Sequence, residues 1–132
     1  MTEQTFAIIK PHAVKAHLSG KIIDMIEANG FEIIDMKKTT MSQKQAEALY
    51  AEHAGKPFYN GLVSIMTASP LIVLKLSKDN AIVAWRELMG ATNPANAAQG
   101  TIRALYGNSL DENAVHGSDS SASAARELAI FF

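Results

Sequence analysis

The spacing of apolar residues changes repeatedly along the chain, and the first third predicts a strand, a helix and a second strand. Thr5–Ile9 is a β-branched and aromatic run, which is typical of a buried strand. From residue 19 the spacing becomes helical, with Ile22, Ile23 and Ile26 on one face and Asn29-Gly30 as a C-terminal stop. Residues 31–40 return to strand spacing.

The middle of the chain predicts two more helices before a third strand. Ser42 and Gln45 have the spacing of a capping box, and a helix should follow through Leu49 to His53. A shorter helix is predicted over residues 59–68. The nearly all-apolar run Leu71–Leu76 then has the pattern of a central strand, buried on both faces.

A helix, a long loop, a short strand and a last helix complete the chain. Asp79 or Asn80 can cap the helix in which Ile82, Trp85 and Met89 recur at helical spacing. Residues 90–113 are rich in Gly, Asn, Thr and Ala, with one short helical option at 102–106. A brief strand is predicted at 113–116, and Ser118–Ser121 can start the final helix.

This order of elements predicts the fold class. Strand, helix, strand, two helices, strand, helix, loop, strand and helix indicate a ferredoxin-like α+β sandwich. We expect a four-stranded antiparallel sheet with a βαββαβ core, additional helices and a long glycine-rich loop. No internal repeat or linker is visible, so residues 1–132 are predicted to be a single domain.

Composition excludes several classes of protein. Twelve basic against thirteen acidic residues leave a formal charge of −1, so we expect neither nucleic acid nor a membrane surface as a partner. The chain has no cysteine, which excludes disulfides, a cysteine nucleophile and thiolate zinc sites. No signal peptide is visible, and we expect a cytoplasmic protein.

The polar loop leads directly into His116-Gly-Ser-Asp-Ser120, where a reactive histidine is one interpretation. An ordinary imidazole has a pKa near 6.5, so at pH 7 its neutral ring can attack phosphorus through one nitrogen. The other nitrogen must then be held, and Glu127 on the last helix is a candidate to orient it. Gly117 would let a phosphate approach. The alternative, a partly buried structural histidine, stays open on this local pattern.

Three cations flank the loop and suit phosphate oxygens. Arg86 and Arg103 supply forked donors and Lys10 a point charge, although each alone is most simply a surface residue. No Walker, GxGxxG or HExxH motif is present. Among the other histidines, His53 favours a surface or packing role over a metal site, and His12 and His17 have no obvious partner in the sequence.

Several separate motifs resemble one known family. The most specific is Asn113-Ala-Val-His-Gly-Ser-Asp-Ser120. The others are Ile9-Lys-Pro11, Tyr50-Ala-Glu-His53 with Lys56-Pro-Phe58, Arg86-Glu-Leu-Met-Gly-Ala-Thr-Asn-Pro94, and Gly100-Thr-Ile-Arg103. In this order they resemble nucleoside diphosphate kinases, in a short form common in bacteria, over essentially the whole chain.

The resemblance implies an enzyme that moves the γ-phosphate of a nucleoside triphosphate to a nucleoside diphosphate, through a phosphohistidine and with Mg²⁺. The implied catalytic residues are the nucleophile His116 and the supporting Glu127, Ser118 and Tyr50. The implied nucleotide-binding residues are Lys10, Phe58, Arg86, Thr92, Arg103, Leu110 and Asn113. Phe58 and Leu110 would stack on the base, which implies broad base specificity.

The resemblance also implies a homo-oligomer, either hexamer or tetramer, and a Mg²⁺ ion held mainly by the nucleotide phosphates rather than by the protein. Three positions depart from the family pattern: His12 and Leu105 stand where an aspartate is usual, and Tyr106 stands where a phenylalanine is usual. Neither replaced aspartate is assigned to catalysis, so we expect activity to survive. The alternative is a ferredoxin-like module that binds nucleotides in a regulatory role without turnover.

Overall fold

The centre of the molecule is an antiparallel sheet in the strand order β2-β3-β1-β4. The structure is a computed structural model that describes residues 2–110 and 112–132. Its strands are β1 (Thr2–Ile9), β2 (Glu32–Thr39), β3 (Leu71–Asp79) and β4 (Val115–Gly117). This arrangement confirms the predicted α+β fold with a four-stranded antiparallel sheet.

Helices cover both faces of this sheet. They are α1 (Pro11–Lys15), α2 (Ser19–Ala28), α3 (Gln43–Leu49), α4 (Tyr59–Thr67), α5 (Ala81–Met89), α6 (Ile102–Tyr106) and α7 (Ser121–Phe131), with 3₁₀ turns at Ala51–His53 and Pro94–Asn96. No helix of the described part of the chain is long and apolar enough to cross a membrane.

The two inner strands explain the apolar runs in the sequence, because each packs side chains into a core on both faces. In β1, Ile9 joins the cluster formed with α2 and α5, while Phe6 and Ile8 join the cluster formed with α3, α4 and α7. Strand β3 alternates in the same way. Phe131 of α7 stacks on Phe6 with ring centroids 5.0 Å apart, so the apolar end of the chain closes the second core.

Helix starts follow the predicted caps in two cases and differ in a third. Ser42 and Gln45 form the predicted capping box at α3, and the Ser120 hydroxyl accepts a bond from the Ser123 amide at α7. Asn80 occupies the N-cap position of α5 but has a φ of 53° and makes no side-chain cap. Instead, the Glu3 carboxylate accepts the hydrogen bond of the Ile82 amide at 3.0 Å.

Other differences concern boundaries. Helix α1 was not predicted, although Pro11 at its first position is a common start signal. The helix after Ser42 ends at Leu49, and a separate 3₁₀ turn follows, because Tyr50 leaves helical geometry. Strand β4 lies at 115–117 rather than 113–116, since Ala114 has a φ of 75° that no strand residue adopts.

Candidate active site

The candidate nucleophile lies where β4 pairs with β1 and faces helix α7. His116 is opposite Ile8 in the sheet, and its Nε2 lies 2.9 Å from Glu127 Oε1. The Ser118 hydroxyl donates a hydrogen bond of 3.1 Å to the same oxygen. Glu127 is buried, so its carboxylate has little freedom to leave this position. The position of His116 in the sheet and the position of Glu127 on α7 therefore fix the contact between the imidazole and the carboxylate.

This contact leaves one ring nitrogen of His116 for chemistry. A carboxylate accepts hydrogen bonds, so Nε2 carries the proton and Nδ1 carries the lone pair when the ring is neutral. Nδ1 has no hydrogen-bond partner in residues 2–110 and 112–132, and the His116 side chain is 21% exposed. The imidazole is thus oriented through Nε2, and Nδ1 remains available for chemistry.

Aromatic edges restrict the rotation of His116. The rings of Phe6 and Tyr50 each meet the imidazole edge-on at a centroid distance of 6.1 Å. The Tyr50 hydroxyl is buried and has no hydrogen-bond partner among the described residues. Burial and the negative charge of Glu127 raise the pKa of that phenol far above its usual value, so it is a neutral donor available to a bound group.

Gly117 has a packing role that the local sequence does not indicate. A Cβ at this position would collide with the indole of Trp85 and with the Met89 side chain, not extend into open space for a phosphate. The Trp85 Nε1 also donates to the His116 carbonyl at 3.3 Å. The glycine lets α5 pack directly against β4 and thereby supports the backbone of His116.

A cavity of about 620 Å³ opens in front of His116. Its polar walls contain four of the predicted residues, Lys10, Thr92, Arg103 and Asn113, and Tyr50 also lines it. Its apolar walls contain Phe58 and Leu110 as predicted, and also Leu62 and Ile65 of α4, which were not among the predicted site residues. Their spacing from Phe58, four and seven residues on, is the helical signal that would have found them.

A series of hydrogen bonds connects three residues of the polar wall of this cavity. Lys10 is 7% exposed, and its ammonium donates to Asn113 Oδ1 at 2.8 Å. The Asn113 amide nitrogen donates in turn to the Thr92 carbonyl at 3.1 Å. Lys10 is therefore held beside the cavity as a paired, buried cation rather than as the solvated surface lysine that its position after an apolar strand favours.

The two predicted arginines differ in their surroundings. Arg103 donates to the carbonyls of Gly90 and Val115, at 3.0 and 2.9 Å, and burial lowers its pKa to about 10. Its Nε is buried without a partner among the described residues. Arg86 is exposed and donates to the Asp119 carbonyl at 3.1 Å. Both arginines line a second cavity of about 330 Å³, with Ser118 and with Thr92, and this cavity shares Thr92 and Arg103 with the first.

The remaining histidines are placed in three ways. His53 packs its ring 5.3 Å from that of Phe58, at the apolar wall. His17 is exposed. His12 has a partner that the sequence did not suggest: its Nε2 accepts a hydrogen bond of 3.0 Å from the Ala114 amide. Within the described residues, no group of three His, Cys, Asp or Glu side chains is arranged to hold a metal ion.

Known proteins resemble the chain over its full length. A sequence model of the family described as nucleoside diphosphate kinase matches residues 3–132. Proteins of that name from Geotalea daltonii and Geotalea uraniireducens are 58% and 55% identical over 130 residues, which are 98% of this chain and 95% of each relative.

Two solved structures are similar throughout. The nucleoside diphosphate kinase of Halobacterium salinarum, in complex with CDP, gives a TM-score of 0.97 at 40% identity and covers 100% of this chain and 88% of its own. The Aquifex aeolicus nucleoside diphosphate kinase gives 0.97 at 34% identity, with 100% and 96% covered.

Proposed function

The chain belongs to the nucleoside diphosphate kinase family, and from that premise we propose that it transfers the γ-phosphate of a nucleoside triphosphate to a nucleoside diphosphate through a phosphohistidine on His116. Membership makes it an enzyme that moves phosphoryl groups between nucleotides. The observation that carries the finer proposal is the position of the imidazole, with Nε2 held by Glu127 and His116 lining the cavity.

The proposed reaction has two half-reactions. The Nδ1 lone pair attacks the γ-phosphorus in line, an N–P bond forms, and the bond from phosphorus to the bridging oxygen breaks to release the diphosphate. The proton on Nε2 stays in the hydrogen bond to Glu127, whose negative charge stabilises the imidazolium that develops. A terminal phosphate oxygen of a second diphosphate then attacks the phosphohistidine and restores the free ring.

Charge neutralisation is the main task left to the protein in such a transfer. We assign the phosphates to Lys10, Arg86, Thr92 and Arg103, and the ribose hydroxyls to Asn113 and Lys10. The support is their position on two cavities that share Thr92 and Arg103, the first of which His116 also lines. The unpartnered hydroxyl of Tyr50 and Nε of Arg103 are donors that an anionic group can satisfy.

Enzymes of this family generally need a divalent cation. We propose Mg²⁺, held mainly by phosphate oxygens and water, and the polar donors present suit that arrangement. The lining of the second cavity contains one carboxylate, that of Asp119, and its other polar residues are cationic or neutral. Magnesium keeps several waters and seldom needs a protein cage. When bound, the ion supplies further neutralisation of the phosphate charge.

The nucleoside base belongs at the apolar end of the cavity in this proposal. Phe58 and Leu110 offer faces on which any base can stack, and neither contributes a polar group that reads a base edge. We therefore propose broad base specificity, with nucleoside di- and triphosphates such as ATP and GTP as substrates.

We also propose a single cytoplasmic domain over residues 1–132 that assembles as a homo-oligomer, either hexamer or tetramer. Support for assembly comes from edge strand β2, where Ile34 and Met36 are 43% and 45% exposed. Sedimentation velocity at micromolar concentration tests the assembly, since a monomer would contradict it.

The experiment that tests the activity uses the purified chain with ATP, CDP and Mg²⁺. We expect CTP and ADP to form, with parallel double-reciprocal lines when both substrates are varied, as a relay through a covalent intermediate requires. EDTA should stop the reaction. Binding of ADP without any CTP would instead favour the regulatory module that does not turn over.

A further inference from the structure

A strained turn lies between the ribose-binding candidate Asn113 and the nucleophile His116. Ala114 has a φ of 75°, and the Val115 amide donates across it to the Asn113 carbonyl at 2.9 Å. A bond between residues two apart around a positive φ is a γ-turn of the rare kind, which a residue with a Cβ adopts only at a cost. Such a turn persists only where its surroundings hold it.

The segment that follows β1 forms hydrogen bonds with both the carbonyl and the amide of Ala114. Lys10 donates its backbone amide to the Ala114 carbonyl at 2.8 Å, and His12 accepts the Ala114 amide on Nε2 at 3.0 Å. Ala114 is fully buried. Without the imidazole, its N–H would be buried without an acceptor, which is strongly unfavourable.

The neighbours of this turn residue carry the candidate nucleotide contacts. Asn113, directly before it, bridges the Lys10 ammonium and the Thr92 carbonyl. Val115, directly after it, accepts from Arg103, and His116 follows. A shift of the turn would therefore displace the contacts on both sides of the cavity.

We propose that His12 is a positioning residue, whose neutral Nε2 holds the Ala114 turn and thereby sets Asn113 and Lys10 for nucleotide binding. The inference rests on the proposed function of the cavity. It gives nucleotide binding a pH dependence that originates at His12, because a protonated imidazole has N–H donors on both nitrogens and cannot accept the Ala114 amide.

The surroundings favour the neutral ring that the turn needs. Burial lowers the pKa of His12 below its ordinary 6.5; the positive charge of Lys10 acts in the same direction, while the charge and backbone of Glu112 oppose it. Lys10 and Glu112 are the charged groups acting on this ring in the described residues. The turn is thus held at pH 7 and above, and is released as the pH falls through the lowered pKa.

Equilibrium dialysis of Mg·ADP tests the proposal between pH 8.0 and 5.0, with three chains. His12→Gln puts an amide oxygen near the position of Nε2 and does not titrate. His17→Gln makes the same change at an exposed histidine and serves as the matched control. Ionisation of ADP affects all three chains alike, so the ratio of the Kd of the wild type to that of His12→Gln isolates His12.

We expect this ratio to lie near one at pH 8.0 and to rise at least about fivefold as the pH falls through the midpoint of the His12 titration, as an unpaired buried N–H implies. The His17→Gln ratio should stay near one. A His12→Gln ratio that changes less than threefold would overturn the role of His12 while leaving the nucleotide site intact. Failure of the wild type to bind ADP at pH 8.0 would overturn the proposed function and this inference with it.

A second measurement on the wild-type protein covers the case in which the variant does not fold. NMR titration follows the ¹³C resonance of the His12 ring and the ¹⁵N resonance of the Ala114 amide. We expect a common midpoint below pH 6.5. An Ala114 ¹⁵N resonance that does not shift as His12 titrates would overturn the proposal.

Discussion

The two ends of the main cavity are built on opposite principles. At one end, His116 is held in position by a buried carboxylate, two aromatic edges and a β-ladder, and Glu127 is only 5% exposed. At the far end, Phe58 and Leu110 are 51% and 56% exposed and present mainly apolar surface.

This difference matches what each end has to do in the proposed reaction. In-line attack requires a nucleophile held to within a fraction of an ångström, because small displacements reduce the rate steeply. The base takes no part in bond making, and a stacking surface accepts every base with similar energy. Losses of rate and losses of affinity should therefore separate between the two ends.

Removing the nucleophile should give the largest effect. His116→Ala is expected to lower kcat for ATP-to-CDP transfer by at least about 10⁴-fold, since nothing else in the cavity supplies an equivalent ring nitrogen. Binding of ADP should change much less. His17→Ala, at an exposed histidine, is the control. Turnover above one hundredth of the wild-type rate in His116→Ala would contradict the assignment.

Removing the charge behind the ring should come next. Glu127→Gln keeps the size of the side chain, but its amide can donate as well as accept and carries no charge. It therefore no longer fixes the required tautomer and does not stabilise the developing imidazolium, so kcat should fall about 10²-fold or more with little change in KM. Steady-state kinetics measures both. Glu87→Gln, an exposed carboxylate on α5, should behave like the wild type. A change confined to KM would contradict this role, because it would mean that Glu127 acts in nucleotide binding rather than on the reacting imidazole.

Substitutions at the Phe58 end of the cavity should change the affinity for nucleotides. Phe58→Ala is expected to raise KM for nucleoside diphosphates about 5- to 100-fold, by the loss of one stacking partner, with purines and pyrimidines affected alike. Phe58→Tyr should retain most of the affinity. Leu105→Ala removes an exposed apolar residue that does not line the cavity and is the control. A strong difference between ADP and CDP would indicate base selection that stacking does not explain.

The smallest effect is expected one step behind the carboxylate. Arg126 lies 3.6 Å from Glu127 Oε2 and donates to the Ala48 carbonyl at 2.8 Å, so it links α7 to the segment that carries Tyr50. The side chain is 38% exposed and solvent screens the pair. Arg126→Ala should lower kcat about two- to fivefold, and Arg126→Lys should recover part of it. An unchanged kcat would show that Glu127 needs no such support.

The sequence predicted much of the fold because local patterns decide it. The Ser42 capping box, the helical face of α2 and the doubly buried run of β3 each depend on residues close in the chain, and all are confirmed. Helix α1 and the end of the helix at Leu49 were missed, since short turns of helix carry little periodic signal. The start of α5 was wrong in detail because Glu3, distant in sequence, caps it.

Much less of the site follows from the residues alone. The Lys10–Asn113 bond joins positions 103 residues apart, and no local pattern indicates such a contact. Residues alone left His116 undecided between a nucleophile and a structural histidine; only the resemblance to a family supplied roles, and those roles stay predictions. The packing of Trp85 against Gly117 also has no local signal in the sequence, because it depends on tertiary structure.

The central claim is that His116 carries the phosphoryl group, and intact-protein mass spectrometry tests it most directly. Wild type and His116→Ala are each mixed with ATP and Mg²⁺ and measured before and after acid treatment. We predict a gain of one phosphoryl group in the wild type that acid removes, that added CDP reverses, and that His116→Ala lacks. An acid-stable adduct, or no adduct in a protein that binds ADP, would contradict the account.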